Sequence, residues 1–168
     1  DSLTTEFGVD VIRWWVASLP YENDVKVDVD FFAVAGESYR KVRNTLRFML
    51  SNLYDYEGNA ESGAPRADGA SLEGWVLGEF DRVSADVRGA YDAFDFKAVH
   101  GRLYGFCNDT LSAVYLAAVK DRLYCDRPGS ARRRRTQAAL TVLTSSGCTT
   151  TITCPTIGAC SKASTLQA

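Results

Sequence analysis

The most constraining feature of this sequence is a helical pattern that runs without proline from about Asp30 to Tyr56. Each residue of an α-helix advances about 100° around the axis, so the apolar residues of this stretch fall in one arc, about 180° to 280° from Arg40. They are Phe31, Phe32, Ala35, Tyr39, Val42, Leu46, Met49, Leu50 and Leu53. The pattern predicts one long helix that packs against a core along this arc.

A basic stripe borders the apolar arc of the same helix. It consists of Arg40, Arg43 and Arg47, within about 60° of one another, with Lys41 and Asn44 on its outer side. Guanidinium groups suit phosphate oxygens because their paired N–H groups match two oxygens at once. The stripe therefore indicates a phosphate-binding face. The alternative is a solvated face with local salt bridges, in which Glu37 pairs with Arg40 or Lys41.

Other segments also carry helical periodicity. Helices are predicted at Thr4–Ser18, Ser71–Asp92, from Asp95 as N-cap to Leu123 with a break or kink near Asn108–Asp109, and from Ser130 as N-cap to Thr144. Val25, Val27 and Val29 alternate with charged residues, which predicts a short extended segment at 24–29. Asp28 or Asp30 is expected to cap the long helix, and Glu57–Gly69 reads as a loop.

These elements predict an all-α helical bundle with a short extended segment near 24–29 and an irregular C-terminal tail. The 168 residues suffice for one domain. From 145 to 168 the sequence is polar and of low complexity, with Lys162 as its one charged side chain, and is expected to be disordered. Because the chain begins with Asp1 directly in helical pattern, we expect it to be a piece of a longer polypeptide.

Composition excludes several functional classes. The net charge of −2 gives no global attraction to nucleic acid, so such binding needs local basic patches. No apolar run approaches the roughly 18 residues that span a bilayer. The sequence lacks a glycine-rich phosphate loop, and His100 lies about 10 Å along a helix from Cys107, too far for a catalytic dyad. No catalytic site is predicted in this chain.

The cysteines favour a reducing compartment. Cys107 and Cys125 lie in helical pattern and are expected to be reduced residues of the core or its boundary. Cys148, Cys154 and Cys160 recur every six residues, a spacing that matches neither zinc sites nor a secreted disulfide framework. No metal site is predicted, and a cytoplasmic location is expected.

Several segments of the sequence between about Ser2 and Thr144 resemble bacterial-type isoleucyl-tRNA synthetases and occur in the same order. They are FGVDVIRWWVAS, YENDVKVD, YRKVRNTLRFMLSNLYD, LSAVYLAAVKDRLYCD and SARRRRTQAAL. In that family these segments follow the KMSKS loop and run into the helical anticodon-binding domain. The resemblance implies residues 1–30 as the end of the catalytic core and stem-contact segment, 31–144 as an incomplete anticodon-binding bundle, and 145–168 as a tail that departs from the family.

The resemblance implies that the parent protein is an aminoacyl-tRNA ligase that attaches isoleucine to tRNA(Ile) with ATP and Mg²⁺. The catalytic and editing sites would lie outside this chain, so the chain alone is expected to be inactive and to need no cofactor. Its partners would be tRNA(Ile) and the remaining domains of the same synthetase, with no membrane. A helical protein-interaction module and the equivalent region of a valyl-type synthetase are the alternatives.

The resemblance and the basic patches together select the candidate tRNA-binding residues. The first set is Arg40, Lys41, Arg43, Asn44 and Arg47, and the second is Lys120, Arg122, Arg132, Arg133, Arg134 and Arg135. Each is expected to contact the sugar-phosphate backbone, with an intramolecular salt bridge as the alternative. In the second set, four arginines open a helix whose dipole prefers anions at that end, a conflict that a bound phosphate would remove. Trp14 and Trp15 are expected to pack in the core rather than to stack on bases.

Overall fold

The computed structural model describes residues 2–20, 22, 24–58 and 70–144 of the chain. These parts form seven α-helices and one π-helical segment. They are α1 (Ser2–Phe7), α2 (Val9–Ala17), α3 (Val29–Ser51), α4 (Leu72–Asp92), α5 (Phe96–Gly105), the π-helical segment (Phe106–Tyr115), α6 (Leu116–Tyr124) and α7 (Ala131–Leu143). The all-α fold class is confirmed.

The helix predicted at Thr4–Ser18 is two helices, α1 and α2, which Gly8 separates. Gly8 has φ 84° and ψ 150°, a backbone conformation that residues with a side chain rarely adopt. The helix pattern continues through this break because periodicity reports which faces are apolar and not whether the backbone turns between them. Both helices pack against α3, where Phe7 and Trp15 contact the ring of Phe32 at 5.7 and 4.7 Å between centroids.

The long helix α3 begins as predicted and ends earlier. The Asp28 carboxylate accepts a hydrogen bond from the Asp30 backbone N–H at 3.4 Å, which confirms Asp28 as the N-cap. The helix ends at Ser51 rather than near Tyr56, and the Asn52 side chain turns back to donate to the Phe48 carbonyl at 2.8 Å. A local side-chain bond of this kind competes with the helical ladder.

The short extended segment predicted at 24–29 forms no strand in the described residues. Residues 24–28 carry no regular structure, although Asp28 has extended backbone angles, and Val29 is the first residue of α3. A strand needs a neighbouring strand to satisfy its backbone groups, and the described parts of the chain contain none. Val25 and Val27 are exposed, so their alternation does not mark a buried face.

The second half of the chain forms one long helical rod followed by α7. Asp95 caps α5 through the Ala98 N–H at 2.9 Å, and Ser130 caps α7 through the Arg133 N–H at 3.2 Å, so both predicted N-caps are confirmed. The helix continues from Phe96 to Tyr124 without a gap. At the predicted break the rod changes to the π-helical segment, a wider turn that often occurs at functional sites.

The core forms where α3, α4, the π-helical segment, α6 and α7 meet. It includes Val42 and Met49 of α3, Phe80 of α4 and Leu111 of the π-helical segment, all buried. The apolar arc of α3 is confirmed at Phe32, Ala35, Val42 and Met49, whereas Phe31 and Leu50 at its edges are exposed. Cys107 is buried in this core and Cys125 is exposed.

Some sequence predictions fall outside the described residues. They are most of the predicted loop, the disordered tail from residue 145 and the three cysteines within it. The division at residues 30 and 144 stays a prediction. Within the described ranges, no helix is both long and apolar enough to cross a membrane.

Candidate nucleic-acid interface

The first set of predicted residues lies on one exposed side of α3. Arg40, Lys41, Arg43, Asn44 and Arg47 are all exposed, and we call them the α3 basic face. Within the described parts of the chain, no ion pair involves any of its arginines, and none joins Glu37 to Arg40 or Lys41. The local salt bridges that offered an alternative explanation of the stripe are therefore absent from this region.

Arg43 and Arg47 border an apolar crevice between α2, α3, α5 and the end of α4. The crevice has a volume of about 760 Å³. Its walls are formed by Trp14, Ala17, Tyr39, Val42, Leu46, Leu50, Tyr91, Phe96, Val99, His100 and Leu103, and its rim also carries Asp10, Arg13 and Ser51. This volume is typical of ligand sites in proteins. Two cationic side chains thus lie beside a largely apolar cavity.

Hydrogen bonds fix two aromatic rings of this crevice. Trp14 Nε1 donates to Ser38 Oγ at 2.9 Å, and the Ser38 hydroxyl donates to the Ala35 carbonyl at 2.9 Å. The Tyr39 hydroxyl donates to Asp10 Oδ2 at 3.4 Å. Burial, followed by the nearby Asp10 carboxylate, raises the pKa of Tyr39 despite the opposing charge of Arg43. Both rings therefore hold their orientation without a ligand, and Trp14 packs inside the fold as expected.

His100 forms part of the opposite wall. Its ring lies 4.2 Å from that of Trp14 between centroids, and its Nε2 atom is buried with no hydrogen-bond partner. Burial lowers the pKa of the imidazole from its usual 6.5, because the charged form loses hydration there. The sequence indicated a helix-surface or boundary residue, and the half-buried position agrees with a boundary.

The outer side of the α3 basic face meets the π-helical segment. Lys41 Nζ donates to Asn108 Oδ1 at 3.1 Å. Next to this contact lies a groove of about 410 Å³, and we call it the Lys41–Lys120 groove. Its polar residues are Lys41, Asn44, Thr45, Asn108, Ser112 and Lys120. The structure therefore brings Lys120 of the second predicted set together with two residues of the first.

Arg40 and Arg43 have more acidic surroundings than Arg47. They lie along a groove between α3 and the α1–α2 pair, which also contains Glu6, Asp10 and Glu37. These carboxylates lower the positive potential around both arginines. Arg43 borders both this groove and the crevice, whereas Arg47 borders the crevice alone.

Two arginines of the second set are engaged inside the protein. Arg122 forms an ion pair with Glu73, a side chain only 3% exposed that also accepts a hydrogen bond from Thr136 Oγ1 at 3.0 Å. Arg133 forms an ion pair with Asp55 at 2.8 Å, and its side chain is 8% exposed. Arg122 neutralises the buried Glu73 and links α6 to α4, and Arg133 pairs with the partly buried Asp55 in the turn after α3. Both guanidinium groups are therefore already engaged within the protein.

The other arginines at the start of α7 are exposed. Arg132 lies 3.5 Å from the Asp126 carboxylate, a partly solvated pair that contributes little stability. Arg134 and Arg135 border a groove of about 600 Å³ together with Asp55 and Glu57. The carboxylates of Asp55 and Glu57 reduce the attraction of this groove for phosphate. The second set thus divides into buried pairs, a mixed-charge groove and Lys120.

Sequence reasoning missed several residues of this surface. Phe96, Val99 and Leu103 were recognised as a core stripe, but their contribution to a crevice beside Arg43 and Arg47 depends on how α5 packs against α2 and α3. Asn108 and Ser112 gave no signal beyond the possible helix break. Across the described ranges, no group of three or more His, Cys, Asp or Glu residues could hold a metal ion.

Comparison with known proteins first defines the class of domain. Residues 73–149 match the family described as the anticodon-binding domain of tRNA ligase. The match begins in the first turn of α4 and includes α5, the π-helical segment, α6 and α7. The helix that carries Lys120 and the π-helical segment that packs against α3 therefore lie within the part of the chain that matches this family.

Similarity to individual proteins extends the match along the chain. An isoleucine–tRNA ligase of Geobacillus kaustophilus is 39% identical over 135 residues, which are 80% of this chain and 14% of that protein. Similar proteins of Syntrophomonas wolfei and Moorella thermoacetica are 37% and 41% identical over 82% and 79% of the chain, and 15% and 14% of their own lengths. Together with the family match, these relatives support a fragment of an isoleucyl-tRNA synthetase. The chain spans about one-seventh of the length of these relatives.

Proposed function

We propose that this chain is the part of an isoleucyl-tRNA synthetase that holds tRNA(Ile), and that the α3 basic face contacts the RNA. The observation that carries this proposal is the exposed row of arginines on α3, without ion pairs within the described residues, packed against an anticodon-binding bundle. The relatives are named isoleucine–tRNA ligases, which favours tRNA over an acidic protein partner or a valine-specific RNA.

The chemistry of the face suits a sugar-phosphate backbone. Arginines about one helical turn apart present planar N–H groups to successive phosphates, and each neutralised phosphate releases condensed counterions. Unpaired arginines keep this capacity, whereas Arg122 and Arg133 lose theirs to Glu73 and Asp55. The proposed contact surface is therefore the α3 basic face with Lys120, and the exposed arginines of α7 come second.

The reaction would take place in the remainder of the polypeptide. In this proposal, ATP, Mg²⁺ and isoleucine bind outside the described helices, and this chain positions the tRNA for a ligation performed elsewhere in the cytoplasmic enzyme. The chain alone would bind tRNA without charging it. An aminoacylation assay with the chain and with the longer synthetase tests that separation.

The test of the contact face is a titration of tRNA(Ile) against the chain at several salt concentrations. The triple variant Arg40→Ala, Arg43→Ala, Arg47→Ala should bind at least about tenfold more weakly at low salt. Its plot of log affinity against log salt should be shallower by about 0.7 to 0.9 for each lost phosphate contact.

A matched control removes the same charge elsewhere. Arg82, Arg88 and Arg102 are exposed on α4 and α5, and none of them borders the crevice or the Lys41–Lys120 groove. Their triple replacement by alanine should leave the salt slope nearly unchanged. Equal losses in the two triple variants would mean that net charge, and not the α3 basic face, governs binding.

A further inference from the structure

We propose that the crevice beside Arg43 and Arg47 is a subsite for one unpaired nucleotide, with its base against the aromatic wall and its phosphates on the two arginines. This inference rests on the proposed function, since the nucleotide would belong to the bound tRNA. It adds a specific place where a base leaves the RNA stack and contacts the protein.

The size and lining of the crevice suit a planar aromatic group. Its volume of about 760 Å³ exceeds that of a single nucleotide and lies within the range of small-molecule sites. The rings of Trp14, Tyr39 and Phe96 line it together with the side chains of Leu46 and Leu50. Every nucleobase offers a π-face for stacking against such rings.

The wall is already arranged before a ligand arrives. Ser38 holds the Trp14 indole through the 2.9 Å hydrogen bond, and Asp10 holds the Tyr39 phenol. A base that stacks on rings already fixed in place causes little further loss of side-chain entropy. The α2–α3 packing thus places two hydrogen-bonded aromatic rings on the lining of the crevice.

The charge of the rim is complementary to a nucleotide's phosphates. Arg43 and Arg47 lie one helical turn apart on the same side of α3, both exposed and without an ion pair within the described residues. The carboxylate on the rim, Asp10, lies 3.9 Å from Arg13 and accepts the Tyr39 hydrogen bond, and these contacts offset part of its charge. An apolar peptide in the crevice would leave both arginines facing no anion.

Arginine for phosphate and aromatic rings for the base face together match a nucleotide better than a lipid or a peptide. The His100 imidazole lines the same crevice, but its unpartnered Nε2 atom is buried and lies out of reach of a base edge.

The experiment measures, by fluorescence anisotropy, how tightly the whole chain binds two fluorescein-labelled strands. One is a short single-stranded RNA, and the other is an abasic strand of the same length and charge. Stacking of one base predicts that the intact RNA binds at least about fivefold more tightly. Leu50→Trp, at a position 56% exposed on the crevice wall, should fill the crevice and remove this difference while the abasic strand still binds. Val114→Trp, at a position 48% exposed outside the crevice, should preserve it.

The outcomes separate this proposal from the proposed function. Equal binding of the two strands by the unmodified chain, or a base preference that survives Leu50→Trp, overturns the nucleotide subsite. In either case salt-dependent binding that the α3 arginines control would leave the proposed function intact. Absence of any salt-dependent binding overturns both.

A second variant guards against a folding defect in Leu50→Trp. Leu50→Glu adds a carboxylate at the same rim and should weaken binding of both strands through repulsion of phosphate. If Leu50→Trp and Leu50→Glu lower the thermal stability of the longer synthetase without changing its base preference, the crevice is covered by another part of that protein. That result also overturns the subsite.

Discussion

His100 is the side chain of the crevice whose ionisation changes closest to neutral pH. Burial disfavours its charged form and lowers the pKa in the folded state below the usual 6.5. The charged and titratable groups that share the crevice are Asp10, Arg13, Tyr39, Arg43, Arg47 and Tyr91. The arginines are cationic throughout the relevant pH range, so they add no titration of their own near neutrality.

The position of His100 predicts a loss of stability in mild acid. In this range the unfolded chain binds the proton more readily than the folded chain, so stability is fully present above about pH 6.5 and falls as pH drops toward the folded-state pKa. His100→Gln should remove this part of the pH dependence. Urea unfolding at pH 7.5 and pH 5.5 measures the difference, and an unchanged pH dependence in the variant would contradict a shifted His100.

Individual basic residues differ in a way that the sequence does not reveal. Arg43 and Arg133 both lie in helical stripes rich in arginine, yet one is exposed and the other is paired with Asp55 across 78 sequence positions. Periodicity assigns a residue to a face of its own helix, but a partner on another helix depends on tertiary packing. The exposed face of α3 was therefore predictable, whereas the engagement of Arg122 and Arg133 was not.

At the scale of elements, the break between α1 and α2 depends on the backbone freedom of glycine. Gly8→Ala should lower the free energy of unfolding by about 1 to 3 kcal/mol, because φ 84° with ψ 150° is a region that only glycine adopts readily. No atom lies within 4 Å of a Cβ added there, so the expected cost comes from the backbone alone.

A second glycine provides the matched control. Gly78 lies inside α4, and a Cβ there also meets nothing within 4 Å, but its backbone is helical. Gly78→Ala should therefore raise the free energy of unfolding by about 0.5 to 1 kcal/mol. Chemical denaturation of both variants gives the two changes, and shifts of the same sign would refute the backbone argument.

The elements that the sequence predicted well are those with chemical signals at their ends. Asp28, Asp95 and Ser130 precede helices and cap them as their side chains predict. The π-helical segment, which packs against α3 and α4, was visible in the sequence only as a break near Asn108–Asp109. The alternation of valines with charged residues at 24–29 did not indicate a strand, because such a pattern forms a strand only where a neighbouring strand is present to pair with it.

For the whole molecule, α3 lies between two surfaces that differ in chemistry. Arg43 and Arg47 border the apolar crevice, and Lys41 with Lys120 borders the polar groove along the π-helical segment. An RNA that covers both would place phosphates on either side of one helix. The near-neutral net charge of −2 is compatible with this arrangement, since local faces and not the whole surface would attract the RNA.

This arrangement predicts additive losses of tRNA binding. The pair Arg43→Ala, Arg47→Ala and the pair Lys41→Ala, Lys120→Ala should each reduce the salt slope by up to about 2, and the quadruple variant by the sum. Additivity is expected because the two pairs share no ion-pair partner in the described residues. Salt titrations with tRNA(Ile), with Arg82→Ala, Arg88→Ala as the control pair, provide the measurement. Removal of a lysine that contacts phosphate reduces the number of counterions released and therefore lowers the salt slope. An unchanged slope in the Lys41→Ala, Lys120→Ala variant would thus show that the RNA lies only on the crevice side of α3.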